Sequence, residues 1–213
     1  MEIRRTANAG VLLKLDGVSI LLDGVCREVS PYLATPSEER AHLSGCWPDV
    51  LAFTHSHKDH YDPDFAASYR KQTNGVILGP EDMDASVAPV TVGGVTVTPV
   101  KSRHIGKAGQ SVSHYSFVIS GSRCVWFLGD ASPLQWRGRG ELPAPDVLIV
   151  PYAYAITETS WQITKELGAK TVLLLHMPTE GNDPVGLWQA MRNTVGECND
   201  YLRIPAMSET IRF

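Results

Sequence analysis

The chain has few cysteines, and none is arranged for metal or redox work. Cys26, Cys46, Cys124 and Cys198 are scattered over 213 residues without a C-x-x-C pair. That spacing argues against a zinc ribbon or a thioredoxin-like dithiol and fits reduced thiols, with the cytoplasm as the expected location. Long apolar runs are missing as well. The stretch 11–22 is interrupted by Lys14, Asp16 and Gly17, so neither a signal peptide nor a membrane span is expected. Charge of neither sign dominates: 19 Lys and Arg stand against 23 Asp and Glu, a formal net charge of -4. This balance argues against long nucleic acids as partners and leaves a small-molecule substrate as the expected one. No repeat or low-complexity tract divides the sequence. Its length suits one domain over residues 1–213 with a substantial core, and nothing in it points to an oligomeric state.

What is present is a regular series of short apolar runs. Residues 10–15 and 18–22 flank Asp16-Gly17, a dipeptide that favours the positive φ angles of a tight hairpin turn. The polar, Pro-bearing segment 27–48 is too long for a turn and reads as a lid or as a loop with a short helix inside it. Val50-Leu51-Ala52-Phe53 reads as a buried strand, and Asp62-Pro63 as an N-cap followed by proline in the first turn of a helix over 63–71. A short strand over 76–78 follows. Residues 90–100 alternate in period two around Gly93-Gly94, and 114–119 with 123–128 form a further hairpin pattern. Strands over 147–150 and 171–175 then alternate with helices over 158–167 and 184–195. Hairpins first and strand-helix units later predict an α/β layered architecture, with sheets face to face and helices outside.

The strand at 50–53 runs into Thr54-His55-Ser56-His57-Lys58-Asp59-His60. In extended backbone the imidazoles of His55 and His57 point to the same side, whereas on a helix they would diverge by about 200°. Asp59 and His60 follow at the bend into the next helix. Neutral imidazole and carboxylate are the ligands of open catalytic metal sites, while structural zinc favours cysteine and a closed set of four. A His-x-His-x-Asp-His string arises by chance in about one chain of this composition in two thousand, so the cluster is read as half of a metal site.

With this motif the chain resembles the metallo-β-lactamase superfamily. Ile20-Leu21-Leu22-Asp23 is similar to that superfamily's early strand ending in Asp, Arg103-His104 to its third motif, Phe127-Leu128-Gly129-Asp130 to its fourth, and Leu173-Leu174-Leu175-His176 to its fifth. The resemblance implies a four-layer αβ/βα metallo-β-lactamase-like sandwich and a dinuclear site. One ion would lie on His55, His57 and His104, the other on Asp59, His60 and His176, with Asp130 shared. Zinc is the expected metal, and manganese or iron accept the same ligands. Hydroxide held between the ions would be the nucleophile, and Asp59 the catalytic carboxylate that orients it. His114 competes with His104 for the third-motif position; His104 is preferred because it follows its strand directly.

Residues 147–151 and 167–176 resemble the branch that includes the ascorbate-6-phosphate lactonases and the N-acyl-phosphatidylethanolamine phospholipase D enzymes. That resemblance implies hydrolysis of a phosphodiester, a lactone or a related ester. A catalytically idle sensor of the same fold and a small-nucleotide phosphodiesterase are the alternatives. Arg103, His114, Tyr152 and Tyr154 are the candidate substrate contacts. Trp161 is a further aromatic near the expected return to the site, and Lys101 and Lys107 add positive charge beside Arg103.

Overall fold

The structure, a computed structural model, describes residues 1–73, 75–106, 112–138 and 142–213. In chain order it builds β1 (Glu2–Arg5), β2 (Val11–Leu15), β3 (Val18–Leu22), α1 (Ser37–Gly45), β4 (Val50–Ala52), α2 (Pro63–Gln72) and β5 (Val76–Leu78). The second half comprises β6 (Val90–Val92), β7 (Val95–Ser102), β8 (His114–Ser120), β9 (Cys124–Phe127), β10 (Val147–Pro151), α3 (Glu158–Glu166), β11 (Thr171–Leu175), α4 (Leu187–Val195), β12 (Leu202–Arg203) and β13 (Thr210–Arg212). Local chemistry accounts for the joints. Asp16 (φ 51°) and Gly17 (φ 84°) turn β2 into β3, matching the right-handed twist of the strands they connect. At α2 the Asp62 carboxylate accepts from the backbone N–H groups of Asp64 and Phe65, with Pro63 in the first turn where its missing N–H costs nothing.

Two mixed sheets result, ordered β13-β1-β2-β3-β4-β5 and β12-β11-β10-β9-β8-β7-β6. Period two along the strands sorts the apolar side chains into three layers. Leu13, Ile20, Val50 and Leu22 of the first sheet meet Val97, Phe117, Phe127, Ile149 and Leu173 of the second in the central core. The opposite face of the first sheet, with Leu12, Leu21, Leu51 and Phe53, packs on Leu43 of α1 and on Phe65 and Tyr69 of α2. The outer face of the second, with Trp126, Leu148, Val150 and Leu174, packs on Ile163 of α3 and on Leu187 and Met191 of α4. The architecture is the four-layer αβ/βα sandwich that the sequence pattern and the family resemblance imply.

Residues 37–45 of the Pro-bearing segment form α1, the short helix that one reading of that segment holds. Other elements depart from the sequence expectation. Strands β1, β12 and β13 are two to four residues long, too short for a period to show, and exist because a sheet edge or a parallel neighbour pairs with them. Helix α4 starts at Leu187 and not at 184, because Gly186 adopts φ 73° and the Asp183 carboxylate accepts from the Trp188 N–H at 2.8 Å.

One close approach joins the sheets at the end where the ligand candidates lie. Gly129 has φ +52°, and a Cβ there would stand 2.5 Å from Thr54 Cγ2. The turn after β9 can touch Thr54 only without a side chain. Gly129→Ala is expected to destabilise the fold by more than Gly94→Ala. The latter carries the same left-handed backbone penalty of about 1–2 kcal/mol but has no atom within 4 Å of the added Cβ. Equal denaturation midpoints for the two variants would show that the contact is not tight. Phe127, 1% exposed between the sheets, should cost about 3–5 kcal/mol when replaced by Ala, read as a lower denaturant midpoint at unchanged slope.

Candidate metal centre

Each member of the cluster leaves a strand end or a tight turn. Past β4, Phe53 still bonds to Leu78 through its N–H (2.9 Å), and the 54–60 segment then closes on itself as the His60 and Tyr61 N–H groups both donate to the His57 carbonyl (3.0 and 2.9 Å). The capped start of α2 follows immediately. On the second sheet, His104 emerges from β7 and forms an isolated bridge with Ala131, and the Ile105 N–H donates to the Asp130 carbonyl at 2.8 Å. His176 ends β11 in a left-handed conformation (φ 58°), with its N–H on the Asn8 carbonyl at 3.2 Å. Residues more than a hundred positions apart thus arrive at one rim.

The ligand atoms of His55, His57 and His104 lie within 4.8 Å of one another, as do those of Asp59, His60 and His176 and those of His55, His60 and Asp130. Within the first set, His55 Nε2 is 3.0 Å from His57 Nδ1 and 3.3 Å from His104 Nε2. In the second, His176 Nε2 is 3.2 Å from Asp59 Oδ2. Asp130 stands between them, 3.6 Å from His60 Nε2, 3.6 Å from His104 Nε2 and 3.7 Å from His176 Nε2. The residues named by the family resemblance are thus brought close together, with Asp130 beside His60, His104 and His176. His114 falls in neither set, so the geometry favours His104 for the third-motif position.

Hydrogen-bond accounting shows why the nitrogens face inward. The Thr54 hydroxyl donates its one proton to Asp23 Oδ2 at 2.6 Å, so at its 2.9 Å contact with His55 Nδ1 the oxygen accepts and the imidazole donates. His60 Nδ1 donates to Asp23 Oδ2 at 2.8 Å, and His104 Nδ1 to the Ile105 carbonyl at 2.8 Å. In His55 and His104 the Nδ1 proton is tied outward and Nε2 is left as the lone-pair nitrogen facing the cluster, while His60 turns its Nε2 toward Asp130 at 3.6 Å. His114 is built alike. Ser116 Oγ donates to the Leu128 carbonyl (2.9 Å), Ser102 Oγ therefore donates to Ser116 Oγ (3.0 Å), and His114 Nδ1 must donate to Ser102 Oγ (2.7 Å).

The electrostatics describe a centre that lacks positive charge. Burial, joined by the charge of His60, pushes His55 well below the usual imidazole range, and burial pushes His114 down to about 3. Burial also opposes charge on His60, but Asp130 and Asp23 outweigh it and hold that imidazole well above its ordinary value. Asp130, disfavoured by burial, is held well below the carboxylate range by His176 and His60. The donor set fits divalent cations on a further observation. Among the described residues, buried His60 Nε2, Asp130 Oδ1 and both ring nitrogens of His176 have no hydrogen-bond partner, and leaving such groups unpaired in a protein interior is costly. Asp59 and His57 are the partly exposed members, so the centre opens to solvent between them.

The remaining expectations fare unevenly. Tyr152 is half-buried with its ring 5.8 Å from that of His176. Arg103 is exposed at the rim; its backbone N–H is held by the Gln135 side-chain carbonyl. Tyr154 is 0% exposed and packs in the layer of α3 and α4, apart from the rim on which Tyr152 lies. Trp161 likewise packs on Tyr201, ring centroids 5.9 Å apart. Lys107 lies outside the described residues. Tyr32 was not foreseen. Its ring meets His176 edge-on at 4.3 Å, and a single tyrosine in a polar loop carries no pattern that would have found it. Asp23, visible in the sequence only as a strand-terminal acid, is 0% exposed and accepts hydrogen bonds from two elements of the 54–60 segment.

Comparison with known proteins agrees with this architecture. The beta-lactamase superfamily domain matches residues 2–176. Among solved structures, a "possible metal-dependent hydrolase" from Veillonella parvula superposes with TM-score 0.73 at 15% identity, covering 99% of this chain and 98% of its own. Igni18, a metallo hydrolase from the archaeon Ignicoccus hospitalis, gives 0.67 at 19% identity over 100% and 98%. An isothiocyanate hydrolase from Delia radicum gut bacteria gives 0.66 at 18% over 100% and 99%. No curated protein matches. At these identities the structural likeness concerns the fold, and it is the family match over most of the length, joined to the ordered motifs, that classifies the protein: the chain belongs to the metallo-β-lactamase superfamily.

Proposed function

We propose that the protein is a metal-dependent hydrolase of a phosphodiester, lactone or related ester, with His55, His57 and His104 holding one divalent ion, Asp59, His60 and His176 a second, and Asp130 both. The observation that carries this reading is the convergence of six of the seven histidines on one buried rim, with lone-pair nitrogens turned inward and several of them unpartnered. Divalent ions bound there would supply Lewis acidity and lower the pKa of water to near neutrality.

The chain's own groups supply the rest. Asp59 stands at the open side, and although burial raises its pKa, the neighbouring His176, 3.2 Å away, and His60 outweigh that effect and hold it below its ordinary value. It is placed to orient the attacking water and take its proton. Tyr32 and Tyr152 flank His176, and burial holds both phenols above their ordinary range, so each stays a neutral donor toward oxygen on the substrate. His114 presents an acceptor nitrogen behind His55, with ring centroids 5.1 Å apart. Arg103 at the rim can meet an anionic group on the incoming molecule.

Elemental analysis of protein purified without added metal is expected to show stoichiometric zinc, manganese or iron. A hydrolysis panel of bis(4-nitrophenyl) phosphate, lactones, thioesters and isothiocyanates, the last included because of the solved neighbour, should reveal turnover that His57→Ala and Asp130→Asn abolish together with metal content. Absence of metal, or turnover indifferent to both variants, would overturn the proposal; full metal content with no turnover on any class would favour a ligand-binding sensor. Asp23→Asn touches no inward-facing nitrogen, yet it should weaken metal affinity by about 10–100-fold through loss of His60 orientation, measured by chelator competition.

A further inference from the structure

An apolar groove lies beside Tyr32 on the side of the loop after β3. Its outer part, about 450 Å³, is lined by Leu33, Pro36, Met177, Trp188, Ile204 and Met207. A smaller space of about 50 Å³ adjoins it, between Asn8, Pro31 and Tyr32. Arg5, Leu33, Met177, Pro178 and Thr179 line both parts, so the two are continuous. Tyr32 lines the smaller space and its ring rests on His176, and Met177 is the next residue along the chain.

The two charged lining residues are engaged elsewhere. The Arg5 guanidinium is tied to the carbonyls of Ala7, Pro205 and Asn8 at 3.2, 2.9 and 3.2 Å. The Glu209 carboxylate accepts from the Ala206 N–H at 2.7 Å and faces Arg203 at 3.9 Å. Trp188 is fixed by its indole N–H on the Pro178 carbonyl at 2.9 Å. Leu33, which lines both spaces, is 57% exposed.

We propose that this groove binds an uncharged alkyl or aryl arm of the substrate, holding it so that the reacting bond lies past Tyr32 at the cluster. The inference rests on the hydrolase reading only for the position of that bond. The test is displacement of 1-anilinonaphthalene-8-sulfonate by 1-butanol through 1-decanol, on protein as purified and after chelation. Affinity should rise about fourfold per methylene until the groove is filled. Leu33→Asp and Ala206→Trp, both at exposed positions, should each weaken octanol binding at least tenfold, leave butanol unchanged and keep metal content at the wild-type level. Octanol binding no tighter than butanol, or octanol affinity untouched in both variants, overturns the proposal. A chain-length series that survives in a protein without turnover would count against the hydrolase reading alone; turnover without chain-length dependence would count against the groove alone.

Discussion

The buried carboxylate of Asp23 is the interaction on which the metal centre depends. It accepts from the Thr54 N–H at 2.7 Å and from the Thr54 hydroxyl at 2.6 Å, and its Oδ2 also receives His60 Nδ1. One side chain at the end of β3 therefore fixes the start and the end of the 54–60 segment, and through Thr54 the tautomer of His55. The same Thr54 is the surface on which Gly129 rests, so the knot also sets how near the Asp130 turn of the second sheet comes to the histidines of the first. A carboxylate wholly removed from water is tolerable only when its lone pairs are filled, and here the fillers are the groups that need orienting.

The layering supplies the rigid frame for that knot. Apolar alternation turns one face of each sheet inward and one toward helices, and the strands end together at the rim where the polar cluster sits. Six imidazoles and two carboxylates at that rim are a poor arrangement for the metal-free chain. Burial drives some imidazoles neutral while Asp130 and Asp23 hold His60 charged, and several nitrogens stay without partners. The cost makes physical sense where cations are to be bound, since the same lone pairs that are unsatisfied alone become the first coordination shell. Tyr32 and Tyr152 bound this polar patch on the His176 side, and beyond Tyr32 the surroundings turn apolar. The change from imidazole rim to Met and Leu lined slot occurs over a single aromatic ring.

Much of the architecture was legible in the sequence because it is local. The Asp16-Gly17 and Gly93-Gly94 turns need φ values that other residues avoid, the Asp62-Pro63 cap states where α2 begins, and period two marks the strands. The His55 to His60 string was legible for the same reason: its convergence requires only extended backbone followed by a bend. Tyr152 and Tyr154 illustrate the limit. Two residues apart in a strand they would share a face, but residues 152–154 form a 3-10 turn, which rotates about 120° per residue. One ring therefore goes to the rim and the other into the core. Tyr32 left no trace because nothing in a polar loop specifies what it will touch.

By itself the sequence determined the layer pattern, the turns, the His55 to His60 string and, through ordered motifs, the family in which His104, Asp130 and His176 stand at matching positions. Only the tertiary structure decided that His104 and not His114 joins the first set, that Asp23 and Thr54 hold the imidazole protons outward, that Tyr154 is core, and that Tyr32 lies beside an apolar groove. The division has one physical cause. Backbone conformation and side-chain periodicity depend on neighbours a few residues away, whereas the choice among equivalent histidines and the shape of the space beside them depend on where strands from both sheets end relative to one another. That distance is set by packing contacts such as Gly129 on Thr54, which no short stretch of chain encodes.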